Sequence, residues 1–155
     1  MKIFVSTDLP DSPENVWAYL RDITSHTDWM HDALSIDITS TSKEGIGTTF
    51  DCLTGVGPLR TLDKMEITGW APNRMMGVRH EGLVTGEGVF TLSPIETGTR
   101  FAWVEELKLP AVFGGPIGEI FAKPILGMIW RRNLSGLRAQ IALSLIHISE
   151  PTRPY

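Results

Sequence analysis

The chain has 155 residues, of which 42% are apolar and 21% charged, and a net charge of −4. Such a chain forms one domain by default and buries about two-thirds of its unfolded surface, so disorder and coiled-coil architectures are excluded. The acidic balance provides no basic footprint for nucleic acid, and the lone cysteine, Cys52, excludes an intramolecular disulfide and a cysteine-rich zinc site.

The first eight residues, Met1 to Asp8, lack the apolar run and small-residue cleavage site of a signal peptide. The most apolar segment, Leu109 to Trp130, is interrupted by Glu119 and Lys123 and by Pro110, Pro116 and Pro124. A membrane-spanning helix needs about 20 nearly uncharged residues, so no integral membrane segment is expected, and the expected location is the cytoplasm.

In chain order, Ile3, Val5 and Thr7 alternate with Phe4, Ser6 and Asp8, the period of a strand. Ser12 then offers an N-cap, Pro13 suits the first helical position and Glu14 complements the positive helix end. Val16, Trp17 and Leu20 make a short apolar helical stripe. His26 to His31 reads as a second short helix or turn. Strands are expected over 34–39, 48–53, 59–70, 75–81, 89–92 and 99–109, with turn clusters at 54–58, 71–73 and 93–98 and a turn within 82–88. Gly114-Gly115-Pro116 opens a long helix that Pro124 must kink or restart. In its second half Trp130, Leu134, Leu137 and Ile141 share one face, with Arg131, Arg132 and Arg138 solvated elsewhere.

The end of the chain is of a different kind. Leu143 to Arg153 is similar to the in-frame translation of a transposase sequencing adapter, matching at all eleven codons. The expected division is therefore a single domain over 1–142 and a non-native tail over 143–155, and His147 is set aside with that tail.

An α+β architecture follows: a curved antiparallel sheet of about seven strands, in the order β-α-α-β6-α, against a long C-terminal helix. One helix is too narrow to fill a strongly curved sheet, so a cavity is expected between them. This order resembles the helix-grip fold of the SRPBCC, or START-like, superfamily, in particular its polyketide cyclase/dehydrase-like branch. The residues carrying the resemblance are Ser12-Pro13-Glu14-Asn15-Val16-Trp17, Trp29-Met30, Gly45 with Gly47, Gly69 to Arg74, and Gly88 to Leu92 running into Gly98 to Phe101. The resemblance spans about residues 2–141. It implies binding of lipids, sterols, quinones or polyketides, with catalysis in only some members, and thus a cavity rather than a reaction.

Strand alternation lets one face be enumerated. The expected lining is Thr61, Asp63, Met65 and Ile67; Met76, Val78 and His80; Phe101, Trp103, Glu105 and Leu107; Phe90 and Leu92; and Phe50 and Cys52. The long helix adds Phe113, Ile117, Ile120, Phe121 and Met128, and Trp29 and Met30 stand at the mouth. A one-residue register error would invert any strand's contribution. The set is apolar, aromatic and methionine-rich, suited to a tolerant pocket.

Asp63, His80 and Glu105 share the enumerated face. An imidazole beside a buried carboxylate has shifted pKa values and can carry general acid–base chemistry, so these three are the catalytic candidates. The same groups can orient a ligand by hydrogen bonds, or pair structurally. His26, Asp28, His31 and Asp32 are metal-binding residue types, but their spacing fits helix capping better than a metal motif. Cys52 has no positive neighbour to make a thiolate. Gly55 and Gly57 lack the lysine of a phosphate loop, and no nucleophile elbow occurs. No metal or cofactor is expected.

Three readings follow. The first is a non-catalytic module that binds one small hydrophobic molecule in an internal cavity. The second is a cyclase or dehydratase using His80, Asp63 or Glu105, which needs at least one of them inside the pocket. The third is an interaction module, with a filled core and an exposed apolar patch, supported by Trp17 or Trp70 at the surface.

Overall fold

The computed structural model describes residues 1–149, with side chains through Leu145. Among these residues lie seven strands: β1 (Lys2–Leu9), β2 (Ala33–Ile38), β3 (Thr49–Val56), β4 (Leu59–Ala71), β5 (Met75–Glu81), β6 (Thr85–Ile95) and β7 (Gly98–Lys108). Two α-helices, α1 (Pro13–Leu20) and α2 (Gly115–Ser149), and short 3-10 helices at Ile23–Asp28 and Ala111–Phe113 complete the order. The strands form one antiparallel sheet in the order β1-β7-β6-β5-β4-β3-β2. From β2 to β7 each strand pairs with its successor, and β1 closes the far edge on β7. The α+β helix-grip architecture is thus the one expected from the sequence.

Local chemistry accounts for most element ends. Ser12 Oγ accepts from the Asn15 backbone N–H at 3.3 Å, and Pro13 begins α1. Val16, Trp17 and Leu20 turn into the core. The next helix lies at Ile23–Asp28 rather than at 26–31, because Asp22 caps it by accepting from the Thr24 N–H at 3.1 Å. Two expected turns shrink. Thr54, Gly55 and Val56 pair with Thr61, Arg60 and Leu59, and Ser93 to Ile95 pair with Arg100 to Gly98. Continued ladder pairing overrides turn-forming composition at both places. Between β4 and β5, Asn73 takes the left-handed conformation at φ 67°, which asparagine tolerates better than most residues.

Helix α2 runs unbroken through Pro124, where the sequence suggested a kink or a restart. Pro124 is exposed, so water can satisfy the carbonyl deprived of its partner. In the second half of α2, Trp130, Leu134, Leu137 and Ile141 are buried, and Arg131, Arg132 and Arg138 are exposed. The Trp130 ring stacks on Trp103 of β7 at 4.9 Å between centroids. Asn133, on the same half, is fully buried. Its Oδ1 accepts from the His31 backbone N–H at 2.9 Å, and its Nδ2 donates to Asp32 Oδ1 at 2.7 Å. These bonds tie the helix to the chain entering β2. Position 142, the expected end of the domain, falls inside α2, and residues 150–155 of the expected tail lie outside the described residues.

Candidate functional site

Between the concave face of the sheet and the first half of α2 lies a cavity of about 610 Å³. Pockets for small organic ligands span roughly 300–1,000 Å³. Strand alternation supplies most of its wall. Thr61, Asp63, Met65 and Ile67 of β4 line it, as do Met76, Val78 and His80 of β5. Phe90 of β6, Trp103, Glu105 and Leu107 of β7, and Phe50 and Cys52 of β3 complete the sheet side. Met30, Phe113 and Phe121 also line it, as enumerated from the sequence.

Other enumerated residues lie elsewhere. Trp29 is fully buried rather than at the mouth, packed against Phe90, Phe101 and Trp103 with ring centroids 5.9–6.1 Å apart. The 3-10 helix before it carries its indole inward, where it meets Phe101 edge-on. Phe101 and Leu92 are core residues and do not reach the cavity. Ile117, Ile120 and Met128 are 60–71% exposed, on the outer side of α2. That half of the helix is apolar on several sides, so its period does not distinguish the inward face. Phe121 is 71% exposed while lining the cavity, which puts it at the mouth beside Ile125.

The structure adds lining residues that the sequence reading missed. Thr54 and Val56 enter because β3 is longer than expected, and Ile36 enters from β2. Asp32 enters because Asn133 holds it against α2, and Trp130 enters from α2 itself through its stack on Trp103. An asparagine amid the buried stripe of α2 was the available signal, since buried amides need partners.

The three polar candidates all line the cavity. His80 Nε2 lies 2.9 Å from Glu105 Oε2, and Trp103 Nε1 donates to Glu105 Oε1 at 2.9 Å. Burial disfavours the His80 imidazolium, but the hydrogen bond to Glu105 and the charges of Glu105 and Asp63 outweigh it and raise the pKa above the ordinary histidine value. Gly88 stands opposite Glu105 on β6, where a Cβ would run into the Glu105 carboxylate. Asp63 is 8% exposed; its Oδ2 accepts from Thr54 Oγ1 at 2.7 Å, while its buried Oδ1 has no partner. Burial raises the Asp32 pKa against the opposing bond from Asn133. Cys52 is pushed up to about 11, chiefly by burial.

The residues His26, Asp28, His31 and Asp32 do not converge. His26 Nε2 bonds the Leu20 carbonyl at 2.9 Å, Asp28 accepts from the Tyr19 hydroxyl, and Asp32 is held by Asn133. Burial drives the His26 pKa down, favouring a neutral ring. Among the described residues no helix is long and apolar enough to cross a membrane. Trp17 is buried, packed edge-on against the half-buried Trp70 at 4.9 Å.

Residues 2–142 match the sequence profile of a family described as polyketide cyclase / dehydrase and lipid transport. No functionally curated protein matches the chain in sequence. Among solved structures, a protein from Thermus thermophilus superposes with a TM-score of 0.80 at 17% identity, over 93% of this chain and 99% of that one. A START superfamily protein from Mycobacterium smegmatis gives 0.74 at 13% identity, over 92% and 97%. The Zhui aromatase/cyclase from Streptomyces sp. R1128 gives 0.68 at 14% identity, over 91% and 90%. These likenesses establish a shared fold.

Proposed function

This chain belongs to the polyketide cyclase / dehydrase and lipid transport family, and we propose that it binds one small hydrophobic molecule in the cavity between sheet and α2, without transforming it. The observation that carries this reading is the cavity itself, about 610 Å³ walled by methionine, aromatic and aliphatic side chains around a few polar groups. Removing apolar surface from water contributes roughly 25 cal/mol per Å² before the costs of association. Methionines 30, 65 and 76 adapt to ligand shape. The ligand passes the mouth at Phe121 and Ile125. In this reading the domain comprises residues 1–142.

The test compares native mass spectra of the purified protein with solvent extracts of the denatured protein. A single apolar compound at about one per chain supports the reading. A protein that is empty, and that does not bind a neutral solvatochromic dye such as Nile red, overturns it.

A second reading rests on the His80–Glu105 pair at 2.9 Å within the cavity wall. An imidazole oriented by a carboxylate can remove a proton α to a carbonyl and return it to a departing β-hydroxyl, the elements of a dehydration. The Streptomyces aromatase/cyclase shares this fold, which makes the chemistry worth assaying on aromatic β-hydroxy ketones. Turnover that disappears in His80→Ala and Glu105→Gln would favour this reading over simple binding.

A further inference from the structure

The polar groups of the cavity wall are unevenly matched. Three carboxylates line it, from Asp32, Asp63 and Glu105, and among the described residues no lysine or arginine does. The donors nearest these carboxylates are already engaged. Trp103 Nε1 and His80 Nε2 are spent on the two oxygens of Glu105. Asn133 Nδ2 is spent on Asp32, and the Thr54 hydroxyl on one oxygen of Asp63. What remains is Asp63 Oδ1, buried and without a partner, on a residue that is 8% exposed and lines the cavity. A buried carboxylate oxygen left unsatisfied is costly, and each such atom in a folded protein calls for a partner. The basic group of the wall whose pKa is raised, His80, is bonded to Glu105 and stands against three carboxylates.

We infer that the occupant of this cavity is an apolar molecule that presents a hydrogen-bond donor, a hydroxyl or a protonated amine, to the Asp63 carboxylate, and that the cavity rejects organic acids. The inference rests on the binding reading above and specifies its ligand class. An acid would bring a further anion beside these carboxylates in a largely apolar wall, where like charges repel most strongly. A donor instead completes the shell of Asp63 and joins it to Thr54. The apolar remainder of the ligand then lies along Met65, Ile67, Met76 and Val78.

The experiment uses the intact chain at neutral pH and four probes with one ring system: 2-naphthylmethylamine, 2-naphthylmethanol, 2-methylnaphthalene and 2-naphthoic acid. Isothermal titration or quenching of tryptophan fluorescence reads the affinities. The expected order is amine and alcohol first, with the amine about tenfold tighter than the hydrocarbon, and the acid weakest. In Asp63→Asn the advantage of the amine over the hydrocarbon disappears. If the hydrocarbon binds but the acid binds as tightly as the amine and the alcohol, the inference fails and the binding reading stands. If none of the four binds, both fail together. The ranking on the unaltered chain needs no variant, so poor folding of Asp63→Asn does not shelter the inference.

Discussion

His80 of β5 and Glu105 of β7 meet at 2.9 Å across β6, a strand to which neither belongs. Their ladder partners on β6 are Gly86 and Gly88. Two residues apart on a strand, these glycines share a face, and they leave it bare of side chains where the imidazole and carboxylate meet. Gly88→Ala should therefore displace the Glu105 carboxylate and break its bonds to His80 and Trp103. Overpacking a well-filled site costs about 1–3 kcal/mol, and urea unfolding of the variant should report a loss in that range. An unchanged midpoint would mean that the carboxylate has room to move.

The same pair makes stability depend on pH in a defined direction. The His80 pKa is raised in the folded chain, where Glu105 and Asp63 together overcome burial. Its contribution is complete below the unfolded value of about 6.5 and is lost as pH rises through the folded value. In Glu105→Gln the carboxylate charge is gone and burial should prevail, bringing the pKa down. The stability gap between the parent and Glu105→Gln should thus be wider at about pH 5.5 than at about pH 8.5. His26, whose pKa is lowered by burial, contributes with the opposite sign. Its share is present above about pH 6.5 and lost as pH falls through its folded value. It is common to both proteins and cancels in the comparison. Ring-proton NMR titration of His80 gives the independent check, and a His80 value below the ordinary one in the parent would contradict the argument.

How much of this was legible in the sequence depends on the element. Along β4 and β5, side chains alternate strictly, so Asp63, Met65 and Ile67, and Met76, Val78 and His80, could be assigned to the cavity from one correct choice of face. The long helix offered no such rule. Ile117, Ile120, Phe121, Ile125 and Met128 are all apolar, and they point both into the cavity mouth and out to solvent. The burial of Trp29 escapes the sequence pattern because its position follows from the preceding 3-10 helix and its Asp22 cap. Thr54 and Val56 were hidden by turn-like neighbours, Gly55, Gly57 and Pro58, that the β3–β4 ladder largely overrides. Asn133 was the most informative residue missed, because its two partners lie about a hundred positions away in sequence.

Asn133 permits a direct test of how α2 is anchored. It is fully buried, accepting from the His31 N–H and donating to Asp32. Asn133→Ala leaves a backbone donor and a carboxylate oxygen without these partners and opens a small void. Each unsatisfied buried group costs about 1–3 kcal/mol, so a total loss of about 2–5 kcal/mol is expected in chemical denaturation. Asn133→Asp should be worse near neutral pH, since it sets a second carboxylate against Asp32, and should recover in part on acidification as the pair takes up a proton. Equal stability of Asn133→Asp and the parent at neutral pH would show that the helix is held by its apolar stripe alone.

Cys52 offers a probe of the cavity that needs no substitution. The residue is 5% exposed and lines the cavity wall. Burial drives its pKa up from an ordinary 9.0 to about 11; contact with the Thr54 hydroxyl opposes the rise, and the charges of Asp63 and Asp32 add to it. The thiolate is the reactive form, and a pKa of about 11 rather than 9.0 leaves about one hundredth as much of it at neutral pH. Labelling by a water-soluble aromatic disulfide should therefore be at least about a hundredfold slower in the native protein than in denaturant, since poor access adds to the low thiolate fraction. A molecule held against Met65 and Met76 also lies beside Cys52 in the wall, so a saturating apolar ligand should slow native labelling further. Native labelling as fast as in denaturant would place Cys52 in open contact with water. A rate indifferent to a ligand known to bind would place that ligand outside the cavity.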